Sequence, residues 1–280
     1  MKKCCYGIIL LFSILLRTNS EAYLQKKNTP PLNYVKPHAE LITPCGLDPI
    51  DCVYIINLDY RPEKFERVKQ LFEERGIPTN RFSAVDGWAI AEEAKIEMFG
   101  PYPVRLSGGK IGCLLSHLSV MQDAVDRDFS IIWVCEDDLL FKGDEKKLPD
   151  LICELTRIDP DWDVLYTDPD MLGSSGQRHP SYHYSPRPDQ NLKSLSEFLK
   201  RERRGSSFTT IGQRWGNHSY IMSRKGLKKT LDYFRHVYLW DTFDTDRHYV
   251  PGIRQYGLRR ALITNDWQSK ITDSSVAPTQ

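Results

Sequence analysis

Short apolar runs rich in β-branched residues alternate along the chain with longer segments in which apolar residues return every three or four positions. Residues 52–58 (CVYIINL) read as a strand. In the segment that follows, from Pro62 to Gly76, Phe65, Val68, Leu71 and Phe72 recur at helical spacing, Pro62 suits the first turn and Gly76 a stop. Residues 81–87 (RFSAVDG) predict a second strand, leading through Trp88 into a short helix within 89–100. Between 106 and 129, Ile111, Leu114, Leu115, Leu118, Met121 and Val125 form one stripe, which predicts a long core helix. Residues 130–138 (SIIWVCEDD) are apolar on both faces, as a central strand covered by helices on either side would be.

The second half continues the alternation. A surface helix is predicted over 144–158, with a proline near its start, and a strand over Trp162 to Asp168 that ends in carboxylates. From 171 to 205 the texture turns to Ser, Pro, Gly, His and Tyr and then to a basic cluster, which predicts a long functional loop with one amphipathic helix. The cluster Lys200, Arg201, Arg203 and Arg204 reads as a solvated helix face, with a diphosphate or anionic acceptor as the alternative. Strands over 206–212 and 216–223, a helix over 224–234 and a last strand over 258–265 precede a polar tail. Such alternation predicts an α/β fold with a central, mostly parallel twisted sheet flanked by helices, in which ligands sit outside the carboxyl ends of the strands.

Composition narrows the class. With 280 residues, 40% hydrophobic and 11% aromatic, the chain is long enough for a large core and too apolar for disorder. Its 38 basic and 37 acidic residues nearly cancel, which argues against nucleic acid as a partner and leaves a membrane role only to the N-terminus. There, Lys2 and Lys3 precede an apolar stretch from Cys4 to Leu16 closed by Arg17, with Ser20 and Ala22 placed like a cleavage site; residues 1–22 read as a signal peptide or an uncleaved signal anchor. Residues 23–50, punctuated by Pro30, Pro31, Pro37 and Pro44, read as a linker or an arm lying on the domain, residues 51–270 as the domain, and 271–280 as a polar tail. The protein is therefore expected to be exported or membrane-associated. Cys45 and Cys52 are close enough in sequence to bridge in an oxidising compartment, Cys113 and Cys135 read as small packing residues, and no CxxC pair indicates a zinc ribbon.

The chemistry lies where the apolar run 129–141 is interrupted by Glu136, Asp137 and Asp138. Three adjacent carboxylates at a strand end need a cation, a basic partner or free water. Hard oxygen ligands of this kind suit Mn²⁺ or Mg²⁺, and strand alternation turns Glu136 and Asp138 to one side with Asp137 to the other. A solvated acidic turn would carry the same three residues.

The motifs around this triplet resemble glycosyltransferase family 25, the group of bacterial lipooligosaccharide and animal procollagen galactosyltransferases. The resemblance rests on VYIINLDYRPEKFERV with Asn57, Leu58, Arg61 and Arg67, on RFSAVDG with Asp86 and Gly87, on LSGGKIGCLLSH with Gly112, Cys113, Ser116 and His117, on VCEDD, and on GNHSYIMSRKGLKKTL and YLWD farther along. It implies a GT-A-like single domain and inverting transfer of a hexose from a UDP-sugar, usually UDP-galactose, with Mn²⁺. The acceptor implied is a glycan, a lipooligosaccharide or a hydroxylated protein. Glu136 and Asp138 then lie near the metal and the donor ribose. Asn57, Leu58, Arg61, Asp86 and Asp137 line the donor, with Ser116 and His117 as packing or donor contacts, His117 anchoring its helix to the site. Inversion also needs a carboxylate base, for which Asp241 is the first candidate and Asp244 the second. Lys110 stands where the family commonly has an acid, and the end of the chain matches loosely, so the acceptor side is the less defined. The sequon at Asn217 falls inside a strand resembling a family core element, where glycosylation is not expected. Two other readings compete: a family member that keeps the fold as a binding or adhesion protein, and a metal-dependent phosphoesterase, for which too few metal ligands can be placed.

Overall fold

A computed structural model describes residues 30–170, 186–188, 190 and 193–266. The segment read as an export signal, most of the expected loop at 171–185 and the polar tail lie outside the described residues.

Among the described residues, ten strands and seven α-helices follow in chain order: β1 (Cys52–Asn57), α1 (Pro62–Glu73), β2 (Asn80–Ser83), α2 (Glu92–Phe99), α3 (Gly108–Asp126), β3 (Ile131–Glu136), β4 (Leu139–Phe141), α4 (Leu148–Ile158), β5 (Val164–Tyr166), α5 (Leu195–Phe198), β6 (Arg201–Arg204), β7 (Phe208–Ile211), β8 (Ser219–Ser223), α6 (Arg224–Arg235), α7 (Phe243–Asp246), β9 (Gln255–Leu258) and β10 (Ile263–Asn265). Eight strands form one sheet in the order β2-β1-β3-β8-β5-β9-β7-β6, while β4 and β10 pair separately.

Strand alternation explains why the central strands are apolar throughout. Along β1, Cys52, Tyr54 and Ile56 enter one core with Ile132 and Val134 of β3, whereas Val53 and Ile55 enter the other with Trp133 and Cys135. The first core is closed by α3, through Ile111, Leu114, Leu115, Leu118 and Met121, and by Leu227, Leu231 and Phe234 of α6. The second is closed by Val68 and Phe72 of α1 and by Leu148, Ile152 and Leu155 of α4. The result is helix, sheet, helix, as both apolar faces require.

The sheet is mixed rather than mostly parallel. Its first half is parallel, with β1 between β2 and β3, and β5 runs parallel to β9, but the other four pairings are antiparallel. The reason is local: β8 follows the loop after β7 and is inserted antiparallel between β3 and β5. Even so, β1, β3, β5 and β9 all point the same way, so their carboxyl ends share one edge of the sheet.

Three expectations need correction. The basic stretch 201–204 is not a helix face but the edge strand β6, paired with β7. The single closing strand expected over 258–265 is two strands, β9 and β10, belonging to different sheets. Cys45 and Cys52 are unbridged; each is buried, Cys45 in the core on one side of the sheet and Cys52 in the core on the other, so strand alternation separates the two thiols. The segment before β1 is laid onto the domain: the Lys36 amide donates to Ser119 Oγ at 2.7 Å, and Arg127 reaches the Glu40 carbonyl at 2.8 Å.

Candidate active site

A cleft of about 130 Å³ opens at the shared carboxyl edge, between the ends of β1 and β3, the loop after β2 and the first turns of α3. Of the residues singled out from the sequence, Asn57, Leu58, Asp86, Ser116, His117, Glu136, Asp137 and Asp138 line it. Glycines make the closure possible. A Cβ on Gly87 would fall 1.9 Å from the Gly108 carbonyl oxygen, and one on Gly112 would fall 2.5 Å from the Val85 carbonyl oxygen, so the loop after β2 rests directly on the backbone of α3. Ser116 fastens the same contact, accepting from the Val85 amide at 2.8 Å and donating to the Gly112 carbonyl at 2.7 Å.

The three carboxylates are held differently. Asp137 accepts from Asn57 Nδ2 at 2.7 Å, and the same amide group donates to the Arg61 carbonyl at 2.8 Å, which ties the triplet to the end of β1. Glu136 Oε1 lies 3.0 Å from His117 Nε2, and His117 Nδ1 lies 2.9 Å from the Tyr220 hydroxyl. The imidazole stacks on Phe243 at 5.0 Å between centroids, so helix α3 is anchored to the triplet through one ring. Ser116 and His117 thus serve different partners, as neighbours on a helix must. Asp138 presents a buried Oδ1 with no hydrogen-bond partner among the described residues, and its main-chain carbonyl accepts from the Asp266 amide at 2.8 Å.

Crowding acids in a half-buried cleft perturbs all of them. Burial, reinforced by Asp244 and Asp137 and opposed by His218, pushes Glu136 up to about 7. Burial and then the charge of Glu136 raise Asp138 to about 6, against His218, Lys64 and Arg67. Asp137 is raised by burial too, although its bond from Asn57 and the charge of Lys64 work the other way. His117 moves oppositely: burial, and then the Arg247 guanidinium, lower it to about 3, so at neutral pH the ring is uncharged. An uncharged imidazole whose Nδ1 accepts from Tyr220 can donate Nε2–H to Glu136 without cancelling its charge.

Not every expected residue reaches the cleft. Arg61 contributes its carbonyl and its positive charge near Asp137 but does not line the cavity. Asp241 accepts from the Thr242 amide at 2.7 Å, and its charge is felt by Asp246. Asp244 accepts from the Gly216 amide at 2.6 Å, and its charge acts on Glu136, Cys113 and His117. Neither aspartate lines the cleft, and Asp244 is the one coupled to it. The carboxylate ending the β5 stretch, Asp168, is consumed internally: against the pull of burial, Arg214 at 2.8 Å and His218 at 3.2 Å hold it well below the usual range. Asn217 lies in the loop before β8 rather than inside the strand where the reading of the sequon put it, and is buried with its side chain accepting from Arg247 at 2.9 Å.

Residues 50–246 match the family described as Glycosyltransferase family 25 (LPS biosynthesis protein). The chain belongs to glycosyltransferase family 25. Relatives of this family 25 chain include human procollagen galactosyltransferase 2, 32% identical over 162 residues (54% of this chain, 25% of the relative), and Danio rerio procollagen galactosyltransferase 1, 28% identical over 192 residues (65% and 28%). The human "Inactive glycosyltransferase 25 family member 3" is 32% identical over 127 residues (41% and 21%). The chain thus spans about a quarter of the length of the curated relatives it matches. Among solved structures, A197 from STIV aligns with a TM-score of 0.37 at 12% identity, over 74% of this chain and 81% of that one, a likeness too low to identify the fold.

The donor set in the family 25 cleft fits a hard divalent cation: an unpartnered buried carboxylate oxygen on Asp138, beside two further acids raised by burial. A different trio, Cys113, His117 and Glu136, has ligand atoms within 4.8 Å of one another and leaves Asp138 out. Sequence reasoning missed Cys113 as a cleft residue, together with Lys64 and Trp88. The i, i+4 spacing of Cys113 and His117 was the available signal, since it places both on one helix face. Trp88, 44% exposed at the cleft, had none.

Proposed function

We propose that this family 25 chain is an inverting glycosyltransferase that moves a hexose, galactose first among the candidates, from a UDP-sugar to a saccharide or hydroxylated acceptor. The observation that carries the proposal is the acidic triplet at the carboxyl end of β3, half-buried in a cleft with Asn57, Asp86 and His117 and with an orphaned oxygen on Asp138. Glu136 and Asp138 would hold Mn²⁺ or Mg²⁺, which when bound supplies positive charge to the diphosphate as it departs. Asn57 fixes Asp137, and His117 fixes Glu136, so the acids keep their places before any ligand arrives. Leu58, Asp86 and Trp88 form the wall on which the nucleoside would lie.

The base that takes the acceptor's proton is assigned to Asp244 over Asp241, because Asp244 is electrostatically coupled to Glu136 and His117. Its two oxygens accept from the Gly216 and Thr245 amides at 2.6 and 3.0 Å, which fixes the carboxylate's direction. Delivery through an N-terminal export signal or anchor remains part of the proposal; among the described residues no helix is long and apolar enough to cross a membrane.

One second reading has a specific basis, the relative whose name carries the word inactive. Under it the cleft would bind nucleotide without turnover. Incubating the protein with a panel of UDP-sugars, with and without Mn²⁺, and following UDP release separates the two: metal-dependent release supports transfer, and binding without release supports the inactive reading.

A further inference from the structure

A second concavity at the same edge of the sheet gathers an excess of positive charge. It has an open volume of about 810 Å³ and lies between the segment after β4, the turn joining β6 to β7 and the connection from β9 to β10. Lys142, Lys147, Arg203, Arg259 and Arg260 line it, against a single lining carboxylate, Asp144. None of the five cations makes an ion pair among the described residues, whereas Arg75, Arg127, Arg224 and Arg254 each pair with a carboxylate. Two of the five are nonetheless held in place. Arg203 Nε donates to the Gly205 carbonyl at 2.8 Å and Arg259 donates to the Ser206 carbonyl at 3.0 Å, bonds that orient a guanidinium without cancelling its charge. In a chain whose 38 basic and 37 acidic residues almost balance, such a concentration is local.

Its position relates it to the cleft. Arg259 and Arg260 directly follow the carboxyl end of β9, and Lys142 follows β4, the strand that leaves the acidic triplet. Because β9 and β3 run in the same direction with β8 and β5 between them, the ends of these two strands lie on one edge, separated by roughly 14 Å at about 4.8 Å per strand.

We propose that this groove is an acceptor-side subsite for an acidic glycan, a saccharide bearing sulfate, phosphate or carboxylate groups; the acceptor role rests on the transferase reading above. The shape decides against a membrane surface, since a flat bilayer cannot enter a concavity. Ser206 and Ser207 add neutral hydroxyls beside the cations. An acidic chain seated here would present its next residues along the edge toward Glu136 and Asp138.

The test measures binding without any donor. The whole protein is titrated with a short heparin oligosaccharide and with an oligogalacturonate, which separate sulfate from carboxylate recognition, and in parallel with an uncharged oligosaccharide, phosphatidylserine vesicles and duplex DNA. At least one acidic oligosaccharide should bind, more weakly as salt rises, and the double variant Arg259→Ser, Arg260→Ser should lose about tenfold or more in affinity. UDP-sugar hydrolysis should be unchanged in that variant, since neither arginine belongs to the cleft. Equal binding by the variant, no binding of either acidic oligosaccharide, or equally tight binding of vesicles or DNA overturns the proposal. Acidic-glycan binding in a protein that never releases UDP would sink the transferase reading and leave the groove standing; UDP release without glycan binding would do the reverse.

Discussion

Replacing Asp138 by Asn should stabilise the metal-free protein at neutral pH while removing its function. In the folded chain burial, and next the charge of Glu136, raise the Asp138 carboxyl from 3.8 to about 6. A raised folded value means that between pH 4 and 6 the native state holds a proton the unfolded chain has released, so stability falls as pH rises through that window. The shift corresponds to about 3 kcal/mol at 1.36 kcal/mol per unit, and to about 2 kcal/mol once solvent at the mouth of the cleft is allowed for. Asn cannot ionise and escapes this cost. In urea denaturation with chelator present, Asp138→Asn should exceed the wild type by about 2 kcal/mol at pH 7.5 and match it at pH 4. Added Mn²⁺ should stabilise the wild type at pH 7.5 and leave the variant unmoved. A variant destabilised equally at both pH values would refute the reasoning, because its loss would then come from packing rather than from an ionised buried acid.

Three further outcomes follow from the same geometry. Gly112→Ala should destabilise by about 2 kcal/mol or more, since its Cβ would press on the Val85 carbonyl and the Gly87 amide; calorimetry with unchanged stability would show that the loop can withdraw. Arg214→Ala should cost about 3–5 kcal/mol by taking the paired guanidinium away from the fully buried Asp168, and a smaller loss in chemical denaturation would mean that water reaches the carboxylate. Asp244→Asn should lower transfer about 10²-fold or more with donor binding intact, and Asp241→Asn much less; the reverse order in steady-state kinetics would return the base to Asp241.

The parts of this protein legible in the sequence were those that obey a period. β1, α1, α3 and β3 follow from apolar spacing alone, and the triplet stood out because acids cannot end a buried run without a reason. Pairing direction was not legible: the sequence of β8, buried at every position but its last, looks the same whether it runs with or against β3. The edge strand β6 was misread because Arg201, Arg203 and Arg204 have no apolar face to betray a period of two, and its ladder with β7 is a long-range fact. The stretch 162–168 ends in carboxylates as 130–138 does, and what sets Asp168 apart is its pairing with Arg214 and His218, brought in from the loop after β7.

The most direct measurement is UDP release from UDP-galactose by the purified protein, with and without Mn²⁺, run beside Asp138→Asn. The account predicts metal-dependent release by the wild type and loss of about 10²-fold or more in the variant, whose triplet would hold the cation poorly. Release unaffected by Asp138→Asn, or no release from any UDP-sugar by a protein that still binds UDP, would contradict it.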